Sequence, residues 1–363
     1  MKIDIQLKRK FQRNLLHWFR LSQRELPWRK TRDPYRIWIS EIMLQQTQVK
    51  TVGSYYERFI RRFPNVNCLA IAPVGDVMKM WEGLGYYSRA RNLHLAANIV
   101  VKQFDGKLPD SQEKLVLLPG IGRYTAGAIL SIAFGKRVPV LDGNVMRVLT
   151  RHFHITGNIQ KTDTEKHLWA LSEELLPEKY IQDYNQGLME LGAMICKPKE
   201  PFCDSCPVAG ICKAKELGIQ EQLPVKSVRK PIPHYDVVAG IIRKNNRFLI
   251  TLRPPRGLLG GLWEFPGGKV ENGETFEQSL KREIAEELGI KTKIDSLFTS
   301  VKHAYTHFKI TLHVFQCSYQ SGEIRLNGCD DYRWIRLSQL DDFAFPGADR
   351  KVIDQLMETL MED

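Results

Sequence analysis

The sequence predicts a multi-domain protein in which an all-α part precedes a smaller α/β part. Apolar residues recur at helical spacing from residue 11 to about residue 195, and they alternate as in strands from residue 235 onwards. A segment with three prolines separates the two patterns. With 363 residues, of which 43% are hydrophobic and 10% aromatic, the chain is long enough to form two cores.

Six segments of the first part repeat apolar residues at positions i, i+3 and i+4, which predicts helices. They are FQRNLLHWF, YRIWISEIMLQQ, VMKMWEGL, NLHLAANIVVKQF, TAGAILSIAF and LWALSEELL. Short turns rich in proline, glycine and aspartate separate them.

In the second part, YDVVAGIIRKNNRFLITLR predicts two strands around an Asn-Asn turn, and FKITLHVFQCSY predicts another strand. The segment QLPVKSVRKPIPH carries three prolines and four basic residues, which is typical of a linker. We therefore expect a helical domain over residues 1–221, a linker over 222–234 and an α/β domain over 235–363.

The net charge of +12 is concentrated in one part of the chain. Residues 1–230 contain 36 lysines and arginines against 22 acidic residues, whereas residues 231–363 contain 17 against 19. Such a surplus suggests a polyanionic partner, most commonly nucleic acid. The alternative is a basic face that serves only solubility.

The sequence argues against a membrane or secreted protein. No apolar run approaches the ~18 residues of a membrane span. The basic, amphipathic N-terminal segment MKIDIQLKRKFQRNLLHWF lacks an apolar signal core and a cleavage site. We expect a monomer in a bacterial cytoplasm, associated with the nucleoid.

Four of the seven cysteines crowd into CKPKEPFCDSCPVAGIC, at positions Cys196, Cys203, Cys206 and Cys212. Without a secretion signal, such clustering indicates a metal site rather than disulfides. Zinc and a [4Fe–4S] cluster both take four thiolates. The three short gaps favour iron–sulfur over zinc, whose ribbons usually have two close pairs.

The stretch PGIGRYTAGA predicts a tight turn that opens a helix. Gly120 and Gly122 permit positive φ values and a close approach of the backbone to a partner. The first N–H groups of the following helix would suit a phosphate. An ordinary turn between helices is the alternative, although the positive charge of this part favours the phosphate site.

Two carboxylates are candidates for chemistry. Glu41 is the only acidic residue of PYRIWISEIMLQQTQV, and burial among such neighbours would raise its pKa and make it a proton donor near neutral pH. Asp142 and Asn144 stand at the start of a predicted helix in VLDGNVMRVL, shortly after the glycine turn. For Glu41 the alternative is a place on an exposed helix face.

These motifs resemble the helix-hairpin-helix DNA glycosylases of the endonuclease III superfamily, and more narrowly the adenine DNA glycosylases of the MutY type. The matching segments follow one another over nearly all of residues 11–215. They are LPWR (26–29), SEIMLQQTQV (40–49), WEGLGYYSRARNL (81–93), LPGIGRYTAGAI (118–129), VLDGNVMRV (140–148), NQGLMELGAMIC (185–196) and the cysteine loop. The resemblance implies a helix-hairpin-helix glycosylase fold with a [4Fe–4S] loop.

The resemblance also implies roles for the two carboxylates. Glu41 would protonate the adenine and later activate water, and Asp142 would stabilise or briefly trap the sugar cation, supported by Tyr124 and Asn144. A general acid alone contributes roughly 10²–10⁴-fold, so a second, ionised carboxylate is needed, by analogy with O-glycosidases. In bifunctional relatives a lysine at the position of Tyr124 forms an imine with the sugar. A phenol cannot, so the resemblance implies a monofunctional enzyme.

The substrate implied by the resemblance is double-stranded DNA in which adenine is mispaired with 8-oxoguanine or guanine. The adenine must be flipped out of the duplex at a cost of a few kcal/mol. By resemblance, one set of residues wedges into the base stack and another lines the adenine pocket: Gln46, Leu84 and Tyr86, and Trp28, Arg29 and Gln186. Trp28 and Leu84 could alternatively be core residues.

The second part resembles the Nudix-like domain of this family, which senses 8-oxoguanine. HAYTHF matches the family's reading loop, with Tyr305, Thr306 and His307 as candidates for contact with the oxidised base. Thr306 stands where serine is commoner, and its hydroxyl group can still form a hydrogen bond.

WEFPGGKVENGETFEQSLKREIAEELGI departs from the family because it satisfies the whole Nudix pattern, from Gly268 to Gly289. Glu283, Glu286 and Glu287 would share one helix face and could hold Mg²⁺ for pyrophosphate hydrolysis. The alternatives are a helix retained as scaffold, a Nudix hydrolase merely tethered to DNA, and a non-catalytic lesion-binding protein. The presence of both Glu41 and Asp142 disfavours the last two.

Overall fold

The computed structural model describes residues 3–227 and 231–361, and its contacts divide the chain into two units. The helical unit comprises Met1–Ile71 and Leu95–Arg229, and the sheet unit comprises Ala72–His94 and Lys230–Asp363. Of the linker expected over 222–234, residues 228–230 lie outside the described residues.

All six predicted helical segments lie in or overlap helices, which confirms the all-α character of the first part. The α-helices, in chain order, are α1 Ile5–Ser22, α2 Pro34–Leu44, α3 Val49–Arg62, α4 Val66–Ile71, α5 Val74–Trp81, α6 Ser88–Phe104, α7 Gln112–Leu115, α8 Arg123–Ile132, α9 Gly143–His152, α10 Thr162–Glu174, α11 Ile181–Met194, α12 Lys213–Glu216, α13 Phe276–Leu288 and α14 Gly347–Met361. Among the described residues, none of these helices combines the length and apolarity needed to cross a bilayer.

The long first helix illustrates how the sequence sets the core of the helical unit. The Asp4 carboxylate accepts hydrogen bonds from two backbone N–H groups and so fixes the start of α1. Phe11, Leu15 and Phe19 recur every fourth residue, so one stripe of α1 is buried, and this helix packs against α11. The same core includes Leu149 of α9 and Leu188 of α11, so the helices that carry the predicted motifs converge on it.

The sheet unit is built on one seven-stranded sheet, which confirms the α/β character of the second part. Its strands are β1 His234–Lys244, β2 Arg247–Leu252, β3 Trp263–Glu264, β4 Gly267–Lys269, β5 Lys291–Ala304, β6 Lys309–Ser321 and β7 Asp331–Ile335. The order along the main path is β3-β2-β1-β6-β5, with β4 paired to β1 and β7 to β2. Only the β1–β6 pair is parallel among these.

The predicted Asn-Asn turn joins β1 to β2, and Asn245 and Asn246 have φ values of 48° and 60°. Asparagine tolerates this left-handed region, which a tight hairpin requires. Helix α14 covers one face of the sheet over a core that includes Phe248 and Phe345. Helix α13 covers the other face over a core that includes Leu249 and Ile284.

The segment over residues 72–94 differs from the expected division of the chain, because its contacts group it with the sheet unit rather than with the helical part. The backbone N–H of Phe345 donates to the Glu82 carboxylate at 2.9 Å, and Lys79 Nζ donates to the carbonyl oxygen of Phe343 at 3.0 Å. The Tyr87 hydroxyl donates to the carbonyl oxygen of Phe345 at 3.3 Å. The described residues of the sheet unit are therefore drawn from two separate stretches of chain.

Candidate functional site

The helical unit contains a cavity of about 910 Å³, here called the helical cavity. Its walls come from the turn at residues 27–30 and from α2, α8, α9 and α11. It is lined by these sequence-predicted site residues: Trp28, Arg29, Glu41, Gln46, Tyr124, Asp142, Asn144 and Gln186. Gly120 and Gly122 do not line it, and Leu84 and Tyr86 belong to the sheet unit.

Glu41 is buried in this cavity wall because α2 is apolar on nearly every side. Only 5% of its surface is exposed, and Ile37 to Met43 are all buried. Burial raises the pKa of Glu41 to about 7, although a hydrogen bond from Tyr124 opposes the increase. The expected burial of the Glu41 carboxyl group is confirmed. Its role as a proton donor stays a prediction.

Asp142 begins α9 as its N-cap. Its carboxylate accepts hydrogen bonds from Val145 N at 2.7 Å and from Asn144 Nδ2 at 3.0 Å. Burial raises the pKa of Asp142, and these two donors, with the charge of Arg147, oppose the increase by favouring the ionised form. The environment of Asp142 thus contains the donors that an ionised carboxylate needs.

Asn144 is held in place by Arg147, whose Nη2 donates to Asn144 Oδ1 at 2.8 Å and to the Gly192 carbonyl at 2.7 Å. Arg147 Nε also donates to the carbonyl oxygen of Cys196 at 2.7 Å. The side chain that supports Asp142 is therefore connected to the start of the cysteine loop.

Tyr124 supports a different carboxylate from the one expected. Its hydroxyl donates to Glu41 Oε2 at 2.9 Å and also lies 3.1 Å from the Met189 sulfur. The sequence predicted support for Asp142, whereas the packing of α8 against α2 brings the Tyr124 hydroxyl to Glu41.

The glycine turn before α8 matches the sequence expectation at one of its two glycines. Gly120 has a φ of 82°, which only glycine adopts readily. Gly122 caps α8 with a φ of −92°, so it does not use the positive φ values that glycine permits. A Cβ atom at Gly122 would meet nothing within 4 Å, so this helix start leaves space for a ligand to approach.

Sequence reasoning missed Glu190, a buried carboxylate that also lines the helical cavity. Arg24 Nη2 and Arg29 Nη2 donate to Glu190 Oε2 at 2.6 and 2.9 Å. Burial alone would raise the pKa of Glu190, but these hydrogen bonds outweigh burial and lower it to about 2. The signal was present in GLMELGAM, where a lone acidic residue lies in an apolar run as Glu41 does.

The four cysteines of the loop line one small cavity together with Phe202 and Ala209. All four are free of disulfides, and Arg151 Nη1 lies 3.4 Å from Cys196 Sγ. Among the described residues, no three His, Cys, Asp or Glu side chains are gathered closely enough to hold one metal ion. In a [4Fe–4S] cluster each thiolate binds a different iron atom, so a wider arrangement around one cavity fits a cluster better than a single zinc ion.

The sheet unit contains a second cavity of about 350 Å³, here called the sheet cavity. Residues 83–88, 257–259 and 303–308 line it, so the five candidates Leu84, Tyr86, Tyr305, Thr306 and His307 meet there. The Tyr86 hydroxyl and Thr306 Oγ1 are 2.5 Å apart. The φ of Tyr86 is 48°, an uncommon value for a tyrosine that its surroundings must enforce.

The Nudix segment places its acidic residues around Arg282 of α13. Arg282 pairs with Glu274 at 2.7 Å, with Glu283 at 2.9 Å and with Glu286 at 3.3 Å. Gly268 packs against the Glu283 carboxylate, which would collide with a Cβ atom. Two of the three predicted ligands, Glu283 and Glu286, are therefore held by Arg282.

Two further carboxylates of the sheet unit, the partly buried Glu264 and the buried Asp349, were not anticipated from the sequence. Arg253 Nη1 donates to Glu264 Oε2 at 2.6 Å, and Phe265 N donates to Asp349 Oδ1 at 3.3 Å. Burial raises the pKa of both groups, and that of Glu287, to about 7. Repulsion from Glu264 and Glu283 adds to the effect at Glu287. An acidic residue between Trp263 and Phe265 was the available signal for Glu264.

Mg²⁺ commonly uses one or two carboxylates, waters and substrate phosphates rather than a cage of protein ligands. The absence of a three-ligand group among the described residues is therefore compatible with the candidates Glu283, Glu286 and Glu287. A cation near Glu287 would also offset the mutual repulsion of these carboxylates.

Comparisons with known proteins match the two parts of the sequence to two different families. Residues 39–174 match the HhH-GPD superfamily of base excision DNA repair proteins, and residues 237–355 match the NUDIX domain family. A solved thermostable thymine-DNA glycosylase superposes with a TM-score of 0.54 at 32% identity, covering 58% of this chain and 98% of its own. The helical part therefore has a base-excision glycosylase fold.

Two curated relatives extend over both parts of the chain. The adenine DNA glycosylase of Buchnera aphidicola subsp. Schizaphis graminum is 35% identical over 95% of this chain and 98% of its own length. The human adenine DNA glycosylase is 34% identical over 94% of this chain and 73% of its own length. With its helix-hairpin-helix and Nudix-like parts in the same order as these relatives, the chain belongs to the adenine DNA glycosylase family.

Proposed function

We propose that this enzyme hydrolyses the N-glycosidic bond of adenine mispaired with 8-oxoguanine or guanine in double-stranded DNA. The observation that carries the proposal is a pair of carboxylates in the wall of one cavity, the buried Glu41 and the partly buried Asp142. A pKa of about 7 leaves Glu41 protonated often enough to act as an acid at neutral pH. Trp28, Arg29 and Gln186 line the same space and would surround the flipped adenine.

In this proposal Glu41 donates its proton to a ring nitrogen of adenine, and the bond between that base and C1′ of the sugar breaks. Positive charge then develops on the sugar, and the ionised Asp142 stabilises it. Water activated by Glu41 adds to C1′ and returns the proton to this carboxylate. Tyr124 keeps Glu41 oriented through its 2.9 Å hydrogen bond.

The first test is a single-turnover reaction on a duplex with one adenine opposite 8-oxoguanine, with no metal added. Strand cleavage that appears only after alkali treatment would establish excision without a lyase step. The absence of any abasic site would contradict the proposal. The same duplex with thymine in place of adenine serves as the control for base specificity.

The monofunctional character rests on Tyr124, because a phenol cannot form the imine from which strand cleavage proceeds. The variant Tyr124→Lys should acquire strand-cleaving activity and a borohydride-trappable complex with DNA. Lys50 and Lys226 also line the helical cavity, and their amines could form an imine as well. The control is therefore the triple variant that combines Tyr124→Lys with Lys50→Arg and Lys226→Arg. A Tyr124→Lys protein that excises adenine but is never trapped would contradict this assignment.

The sheet cavity is our proposed site for the base opposite the adenine. Thr306 offers a hydroxyl group that can form a hydrogen bond with the N7–H or O8 of 8-oxoguanine, groups that guanine lacks. Tyr86 positions this hydroxyl at 2.5 Å, while Tyr305 stacks on Phe308 with 4.6 Å between ring centroids. Leu84, Tyr86 and Gln46 are the proposed wedge residues.

For the cysteine loop we propose a [4Fe–4S] cluster held by Cys196, Cys203, Cys206 and Cys212. Four thiolates leave no open coordination position, and base hydrolysis needs no electron, so the cluster would order the loop and its lysines. Purified protein should contain about four iron and four sulfide per chain. Cys206→Ala should lose both; zinc in stoichiometric amounts would contradict the proposal.

A second candidate function is Mg²⁺-dependent hydrolysis of a nucleoside triphosphate at the Nudix box. It is favoured by the acidic cluster around Arg282 on α13 and by the raised pKa of the partly buried Glu287. Water would attack phosphorus, and the products would be a nucleoside monophosphate and pyrophosphate. Incubation of the full chain with 8-oxo-dGTP and Mg²⁺, with Glu283→Gln as the matched variant, tests it. No release of monophosphate by the unaltered chain would contradict it.

The cellular context is part of the same proposal. The substrate and the bacterial relative favour a monomer acting on DNA in a bacterial cytoplasm. Sedimentation of the free protein and of its complex with one duplex tests the stoichiometry, and a second copy bound per lesion would contradict it.

A further inference from the structure

The segment over residues 223–227 is attached to the helical unit, although the sequence assigned it to a linker. Arg151 Nε donates to the carbonyl oxygen of the buried Leu223 at 2.9 Å. The backbone N–H of Ile159 donates to the carbonyl oxygen of Val225 at 3.1 Å. Ser227 N donates to Gln160 Oε1 at 2.9 Å. The residues on both sides of position 226 are therefore fixed.

Lys226, at the centre of this attached segment, lines the helical cavity together with Glu41 and Asp142. Its side chain is exposed to solvent. Within residues 3–227 and 231–361, its ammonium group forms no ion pair and no hydrogen bond. A fixed backbone with a free cation at the cavity is an arrangement suited to a charged ligand.

The other cations of the helical cavity are largely occupied by the protein itself. Arg24 and Arg29 pair with Glu190, and Arg147 is engaged by Asn144 and three backbone carbonyl groups. Among the described residues that line the cavity, Lys50 and Lys226 are the cations without such a partner. The available positive charge is thus carried by two lysines.

We propose that Lys226 binds a backbone phosphate of the DNA strand that carries the adenine. The inference rests on the proposed function, since a flipped nucleotide brings its flanking phosphodiesters to the mouth of the cavity. An ammonium group is a compact charge that neutralises a phosphate without demanding a particular geometry. The role of Lys226 is to place the nucleotide, while proton transfer stays with Glu41.

The test compares Lys226→Met with Lys226→Arg and with Lys166→Met, an exposed lysine of α10 that does not line the cavity. Equilibrium binding is measured in a Glu41→Gln background on a duplex with one adenine opposite 8-oxoguanine, over a series of salt concentrations. Loss of one phosphate contact should reduce the steepness of log K against log salt by about 0.9 and weaken binding by about eightfold at 0.1 M salt.

Lys226→Arg should keep the salt dependence of the unaltered chain, because the charge is retained. Lys166→Met should change the salt dependence only slightly, because it removes a charge that does not line the cavity. In chains that retain Glu41, Lys226→Met should raise the DNA concentration that gives the half-maximal excision rate. A salt dependence for Lys226→Met equal to that for Lys166→Met would overturn the proposal.

Two other results would overturn the proposal in distinct ways. In Lys226→Met, a lower excision rate at saturating DNA with unchanged DNA binding would show that Lys226 acts in the chemical step. A borohydride-trapped complex with the unaltered chain that disappears in Lys226→Arg would show that the amine reaches the sugar carbon. Failure of the unaltered chain to excise adenine would count against the proposed function, whereas the salt dependence still reports on Lys226.

Discussion

Each unit contains a carboxyl group with a pKa of about 7, Glu41 in the helical unit and Glu264 in the sheet unit, but the partners of the acidic side chains differ between the units. In the helical unit, Glu41 is paired with the hydroxyl of Tyr124 and Asp142 with the amide of Asn144, both uncharged. In the sheet unit, Glu264 is paired with Arg253, and three further acidic side chains share Arg282. Burial raises the pKa of Glu41 and of Glu264 alike.

The comparison shows that a raised pKa does not by itself assign a role. Neutral partners leave a carboxyl group free to exchange a proton with a bound base, which suits glycosidic bond cleavage. A group of mutually repelling carboxylates with arginine partners suits a divalent cation and a phosphate chain. The neighbours of each carboxyl group therefore distinguish the two candidate chemistries.

The largest expected effect comes from removing the acid of the helical unit. Glu41→Gln keeps the volume and the contact with Tyr124 but cannot donate a proton, so single-turnover excision should fall by about 10³-fold or more. Glu173→Gln, on the exposed face of α10, is the matched control. If the excision rate of Glu41→Gln lies within tenfold of that of the unaltered chain, Glu41 is not the acid. Neutral partners would then not mark a carboxyl group that takes part in proton transfer.

The next effect concerns the sheet unit and needs no catalytic readout. Mg²⁺ should stabilise the full chain against thermal unfolding by about 2–3 kcal/mol at a concentration of 100 times its Kd. Glu283→Gln should remove most of this stabilisation because a ligand is lost. Equal stabilisation of the unaltered chain and of Glu283→Gln would show that Mg²⁺ does not bind at the Nudix segment.

A smaller effect is expected at the sheet cavity. Thr306→Val keeps the shape of the side chain and removes its hydroxyl group, so the preference for adenine opposite 8-oxoguanine over adenine opposite guanine should fall about five- to tenfold. Tyr86→Phe, which removes the partner of that hydroxyl, should have a weaker effect in the same direction. An unchanged preference in Thr306→Val would remove this residue from opposite-base recognition.

Features encoded by neighbouring residues could be predicted from the sequence. The helical spacing, the Asn-Asn turn and the apolar surroundings of Glu41 are properties of short stretches, and the structure confirms them. The resemblance to the family added the fold family of each part, and family models match both parts. The Nudix pattern predicted one shared helix face for Glu283, Glu286 and Glu287. Two of them, Glu283 and Glu286, pair with Arg282 in the structure.

Features that depend on distant pairing were missed. Glu190 is stabilised by arginines more than 160 positions away in the chain, so its lone acidic position in an apolar helix gave no hint of its partners. Tyr124 meets Glu41 through the packing of α8 on α2, which no local pattern reveals. Lys226 reaches the cavity because its segment is fixed by Arg151, Ile159 and Gln160, whereas its prolines suggested only a linker.

The smallest expected effect is a shift in pH dependence that isolates the neutral partner of Glu41. Excision should decline as pH rises through about 7, because the ionised Glu41 cannot donate a proton. The hydrogen bond from Tyr124 favours the ionised form and lowers this pKa, so Tyr124→Phe should move the alkaline decline to higher pH, by less than about one unit. The measurement is the single-turnover rate from pH 5 to 9 for both chains, with their rates compared on the acidic side as the control for folding. A shift to lower pH would mean that the phenol stabilises the protonated carboxyl group instead. The hydrogen bond between Tyr124 and Glu41 would then not support the distinction between neutral and charged partners.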